Sequence, residues 1–153
     1  MSIVAPEPGL VIRYAYLWRD QAASGRVEAS KDRPCAVVLT TKRANDKTVV
    51  VVAPITHARP RDPSVGIEIP AAAKARLGLD VEPSWVITND LNYFTWPGPD
   101  IRPVTHNRAG RGFVYGQLSQ SLTNRLIANV RERLREGRSQ ITGRNEGMPP
   151  RES

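Results

Sequence analysis

The chain has 153 residues, enough for one domain with a substantial core and too few for two. Hydrophobic residues make up 40% of it and arrive in short β-branched runs broken by Pro, Gly and Asp, which points to a β-rich core. The formal charge is +7 and only four of the 22 basic side chains are lysine, an arginine excess that suits phosphate and bases, while the single cysteine, Cys35, excludes an internal disulfide and a cysteine zinc cluster.

The opening MSIVAPEPGL has no basic segment followed by a long apolar stretch, and no run approaches the roughly 20 apolar residues that span a bilayer. A cytoplasmic protein without membrane contact is expected. Residues 9–18, GLVIRYAYLW, alternate around β-branched and aromatic side chains and predict a half-buried first strand. Residues 19–32, RDQAASGRVEASKD, turn polar and predict a long loop, of a length that in compact domains tends to be functional or disordered. The near-continuous apolar run 34–41 is a central strand with Cys35 buried and inert. A turn at 44–47 leads into TVVVVA, whose β-branched density predicts a buried partner strand, so the two read as a hairpin interrupted at Pro54.

Residues 56–64, THARPRDPS, cannot continue a central ladder, because each proline removes a donor. A short strand over 65–69 and a helix of one or two turns over 70–79, opened by Pro70 and stopped near Gly78, come next. Residues 85–88 and 92–96 read as strands joined at Asn89-Asp90, followed by a forced turn at WPGPD. Residues 101–112 predict a second mobile loop and 113–118 a closing strand. Ser119 or Ser121 caps a helix in which Leu122, Leu126, Val130 and Leu134 recur every four residues beside Ile127, with Arg131, Arg135 and Arg138 on the opposite face. From residue 137 the chain lacks the apolar surface to order itself. The expected organisation is one domain over 9–136 between flexible termini, 1–8 and 137–153.

Two segments carry a family resemblance. KDRPCAVVL (residues 31–39) is similar to the Gly-x-Arg-Pro-Ala-Val-Val-Leu segment of the MazF/PemK toxins, and VVVAPITH (residues 50–57) is similar to that family's strand ending in Val-Pro-x-Thr. Both occur in order, at hairpin spacing. The chain departs from the family pattern at the opening of the first strand, at Lys31 in place of a glycine, and at Asn89-Asp90 where Asp-Gln is common. The resemblance implies a mainly β fold, a small SH3-like barrel of the CcdB/MazF type with a short helix and a C-terminal amphipathic helix. It also implies a toxin endoribonuclease that works as a homodimer on single-stranded RNA, without metal or other cofactor, and is covered by the acidic tail of a cognate antitoxin.

By position, Arg33 and Thr56 correspond to the family's catalytic pair. RNA carries its own nucleophile in the 2′-hydroxyl, so a guanidinium that holds phosphate oxygens and a hydroxyl that donates to the same group address the main charge build-up. His57, next to Thr56, is a candidate acid or base by its ordinary titration range. Strand alternation would turn it away from Thr56 unless the strand has ended. His106, beside Asn107 and Arg108, reads as solvated. The expected RNA-binding surface joins Arg19, Arg26 and Lys31 of the first long loop to Arg59, Arg61, Asn89 and Asp90, with Tyr93, Phe94 and Trp96 as stacking candidates. Two other readings of the same residues stand beside this one: a CcdB-like gyrase inhibitor, which needs no Arg-Thr pair, and a non-catalytic barrel that only binds nucleic acid.

Overall fold

The densest β-branched stretch of the chain becomes the axis of the sheet. In the computed structural model, which describes residues 5–19, 31–104 and 112–144, β1 (Leu10–Tyr16), β2 (Lys31–Lys42) and β3 (Thr48–Thr56) lie antiparallel in order. The far side of β3 pairs with two strands in succession: β6 (Asp90–Thr95) alongside Val49 to Val52, then β5 (Trp85–Ile87) alongside Ile55 and Thr56. The change of neighbour falls at Ala53 and Pro54, where proline has no N–H to donate. β4 (Gly66–Glu68) extends the sheet beyond β5, and β7 (Val114–Gln117) extends it beyond β1. The result is a curled, mainly β half-barrel carrying two helices, α1 (Ala71–Leu77) and α2 (Gln120–Arg135).

The long apolar runs have a direct cause: both faces of the central strands are buried. Successive residues alternate between two cores. Val11, Ala36, Val38, Ala53 and Ile55 pack beneath the helices with Leu77, Leu122, Leu126 and Val130. Ile12, Tyr14, Cys35, Val37, Val52 and Phe94 fill the opposite, aromatic-rich side, where the Tyr14 and Phe94 rings stack at 4.7 Å. Cys35 is buried there, and desolvation pushes its thiol pKa upward, which keeps it inert. Ser119 caps α2, its hydroxyl accepting from Leu122 N at 3.1 Å, and the fourfold apolar spacing read from the sequence is the face that docks on the sheet.

The strands β5 and β6, joined through residues 88–89, each pair with β3 rather than with one another. Two expectations are corrected. The tail from residue 137 is ordered as far as Arg144: Gln140–Gly143 forms β8, which pairs parallel to β6. Side chains anchor it. Arg144 donates to Ala15 O at 2.6 Å and pairs with Asp100 at 2.9 Å, Ser139 donates to Thr88 O at 3.0 Å, and Arg138 pairs with Asp62 and Glu136. Arg138 therefore lies past the end of α2 instead of sharing a helix face with Arg131 and Arg135. The tip of the first loop (20–30), most of the second (105–111) and the last residues (145–153) lie outside the described residues.

This anchoring is sensitive to acid. Hydrogen bonds from Ser64, and then Arg138, hold the Asp62 carboxyl below its ordinary range, and Arg133, then Arg138, do the same for Glu136. A carboxyl lowered in the folded state contributes stability that is complete above its ordinary pKa and is lost as pH falls through the folded value. On acidification below about pH 4, the β8 amides should lose hydrogen-exchange protection before those of β3. Simultaneous loss in both strands would contradict this.

Candidate functional site

Cys35 stands opposite Pro54 in the β2–β3 ladder. Continuing that antiparallel register by two residues puts Arg33 across from Thr56, with both side chains on the same face. Both line a cleft of about 360 Å³, together with Lys31, Asp32, Pro34, Ile55, His57, Lys74, Leu79, Asp80 and Ser84. The guanidinium of Arg33 lies 5.3 Å from the centre of the Trp18 ring. Its Nε is buried and has no hydrogen-bond partner among the described residues. The Thr56 oxygen accepts from Ala58 N at 3.1 Å, which leaves the hydroxyl proton free to be donated.

β3 ends at Thr56, so the alternation that would turn His57 away no longer applies. Thr56 and His57 line the same cleft. The His57 Nε2 lies 2.8 Å from one Asp80 carboxylate oxygen and 3.0 Å from the other, and its Nδ1 is 4.0 Å from Glu82. Asp80 is held in turn by Lys74 of α1, whose Nζ donates to Asp80 Oδ1 at 2.7 Å, to Ser84 Oγ at 2.6 Å and to the Glu82 carbonyl. The Lys74 hydrogen bond, reinforced by His57 and opposed by desolvation, holds the Asp80 carboxyl below its ordinary range. On the opposite wall Asp32 is engaged by Arg13 at 3.6 Å and Arg102 at 3.7 Å.

The residues expected to bind RNA are not all gathered at the cleft. Lys31 is exposed and lines the cleft; Arg19, Arg59, Arg61, Asn89 and Asp90 are not among its lining residues. Arg19 is exposed, and Arg59 sits 5.9 Å from the Trp85 ring, beside exposed Arg61. Asn89 is half-buried and its carbonyl accepts from Gln140 N at 3.1 Å. Asp90 is corrected. Its carboxylate accepts from the Tyr16 hydroxyl at 2.5 Å and from Arg19 N at 3.2 Å, which fastens β6 to the end of β1. Burial and this carboxylate push the Tyr16 pKa far up, so the phenol keeps the proton it donates. Arg26 and His106 lie outside the described residues. Of the stacking candidates, Phe94 is core and Trp96 packs between Phe94 and Phe113, whereas Tyr93 is exposed.

Sequence reasoning missed Lys74, Asp80 and Ser84. A faint signal existed: Lys74 directly follows the buried Ala73 and precedes the buried Leu77 by three positions, on the inward side of α1. Among the described residues no group of three or more His, Cys, Asp or Glu side chains is arranged as a metal site, and no helix is long and apolar enough to cross a membrane.

No curated protein matches the chain. A family model described as PemK-like, MazF-like toxin of type II toxin-antitoxin system matches residues 16–94, just over half of the sequence and a span that contains every residue lining the cleft. Members of this family are generally endoribonucleases and imply a cognate antitoxin. With the β2–β3 hairpin, the half-barrel and the match in agreement, the chain belongs to the PemK-like, MazF-like toxins of type II toxin–antitoxin systems.

Proposed function

We propose that this toxin cleaves single-stranded RNA through the 2′-hydroxyl, without a metal, at the cleft lined by the start of β2, the end of β3 and α1 with the loop after it. The observation that carries the reading is the Arg33–Thr56 juxtaposition: a guanidinium whose buried Nε has no partner among the described residues, opposite a hydroxyl free to donate, in one cleft. The 2′-oxygen attacks phosphorus, the bond to the 5′-oxygen breaks, and a cyclic phosphate and a 5′-hydroxyl result. Arg33 holds the phosphate oxygens as negative charge grows on them, because a fixed guanidinium needs no reorganisation during the reaction. Thr56 donates to the same phosphate. His57 exchanges the proton. Lys31, with Arg19, Arg26, Arg59 and Arg61, guides the strand by its phosphates. The working unit on this reading is a homodimer with RNA across it, and the basic groove also attracts an acidic antitoxin segment.

The test is incubation of purified protein with single-stranded RNA in excess chelator, followed by end-group analysis. Fragments with 5′-hydroxyl and cyclic-phosphate ends are expected. RNA that is bound but stays intact would favour the non-catalytic barrel, and intact RNA with inhibited DNA supercoiling would favour gyrase binding.

A further inference from the structure

We propose that Asp80 and Lys74 are positioning residues that commit His57 to one tautomer and thereby make its Nδ1 the proton-accepting atom in RNA cleavage. The inference rests on the reading above, in which His57 serves the phosphate held by Arg33 and Thr56. It adds two residues on elements that neither family segment contains.

The geometry is a chain of three side chains running from the core to the cleft. Lys74 is only 4% exposed, on a short helix fixed in the core by Ala73 and Leu77. Its ammonium has three donors and spends them on Asp80, Ser84 and the Glu82 carbonyl. Asp80 also accepts from Glu82 N at 3.1 Å, so its carboxylate is held on three sides: by Lys74, by the backbone of its own loop and by His57. Lys74 is buried but Asp80 is half exposed, an ion pair that is a weak source of stability, and an apolar side chain would anchor α1 at least as well. What the pair does instead is present a carboxylate of fixed orientation to a histidine at the mouth of the cleft.

Asp80 is ionised and can only accept, so the Nε2 facing it carries the hydrogen. Nδ1 is then the basic nitrogen. As the 2′-oxygen bonds to phosphorus, Nδ1 takes the 2′-hydroxyl proton; the departing 5′-oxygen takes a proton from solvent water, and the imidazolium later returns its own to solvent. The carboxylates of Asp80 and Glu82, at Nε2 and Nδ1, stabilise the imidazolium formed. Lys31, Asp32 and Arg33 are the other charged groups lining this cleft.

The arrangement makes an unusual demand on the Asp80→Asn variant. Lys74 continues to claim the side-chain oxygen, so the amide nitrogen turns to Nε2 and donates to it. That reverses the tautomer and puts the hydrogen on Nδ1. In a His106→Gln background His57 is the one histidine, and its ring nitrogens are read directly by long-range nitrogen–proton NMR. The expected result is a protonated Nε2 with Asp80 and a protonated Nδ1 with asparagine. Cleavage by D80N should lose about a hundredfold in kcat with KM unchanged. His57→Gln should lose about as much, and adding D80N to it should cost nothing further. Unaltered tautomer, or a D80N loss that persists in full on top of His57→Gln, would overturn the positioning role. Thermal unfolding of each variant separates both outcomes from misfolding. Full cleavage by Arg33→Ala or Thr56→Ala would instead refute the underlying reading, whatever D80N does.

Discussion

Arg33→Ala should lower RNA cleavage by about a thousandfold while leaving the fold intact. The asymmetry follows from the free protein. Among the described residues the Arg33 Nε has no partner to abandon, and the guanidinium lies over the Trp18 ring, a cation–π pair worth about 0.5–1 kcal/mol at a site that is not fully desolvated. The transition state, by contrast, concentrates charge on the phosphate oxygens that the fork is proposed to hold. Arg33→Lys restores the charge but not the planar pair of donors, so it should recover only a minor part of the rate. Single-turnover cleavage with saturating RNA, read beside thermal unfolding, decides the matter. Wild-type rates in a folded Arg33→Ala protein would remove the guanidinium from the mechanism.

The largest loss of stability is expected at a residue that does not line the cleft. Asn92 lies in β6, is fully buried, and clasps the backbone of Leu17 from both sides: its oxygen accepts from Leu17 N at 3.0 Å and its amide donates to Leu17 O at 2.8 Å. It also donates to Leu91 O at 3.1 Å. Leu17 is itself only 1% exposed, so alanine at position 92 would strand both of its peptide groups out of reach of water. Orphaned buried groups cost about 1–3 kcal/mol each, and a total of about 3 kcal/mol is expected from urea unfolding. A loss below about 1 kcal/mol would mean that the chain after β1 readjusts freely. The same clasp, with the Tyr16–Asp90 bond beside it, delivers Trp18 to the place where Arg33 lies over it.

What could be read in advance follows the reach of each physical signal. The β2–β3 hairpin was legible because a strand buried on both faces must be apolar at nearly every position, and TVVVVA satisfies this without competition. The docking face of α2 was legible from its period. β8 was not, for its residues are mostly exposed and it joins the sheet through its backbone and the flanking Arg138, Ser139 and Arg144, so hydropathy carries no trace of it. Asp90 sat beside an asparagine at a turn and read as surface, although its partner Tyr16 lies 74 positions away. The Arg33 and Thr56 positions were marked by motif and hairpin spacing. Lys74 and Asp80 were not, because only the packing of α1 into the core brings them to the cleft.

The parallel pairing of Gln140–Gly143 has a consequence for how the protein is made. β6 lacks its second neighbour until residue 143 has left the ribosome, after the other described strands have been made. Polypeptides that stop short of that point carry β6 as a bare edge, a template for intermolecular pairing. Incomplete chains would thus be destined for aggregation or proteolysis, and only chains that have reached residue 143 can close the ladder.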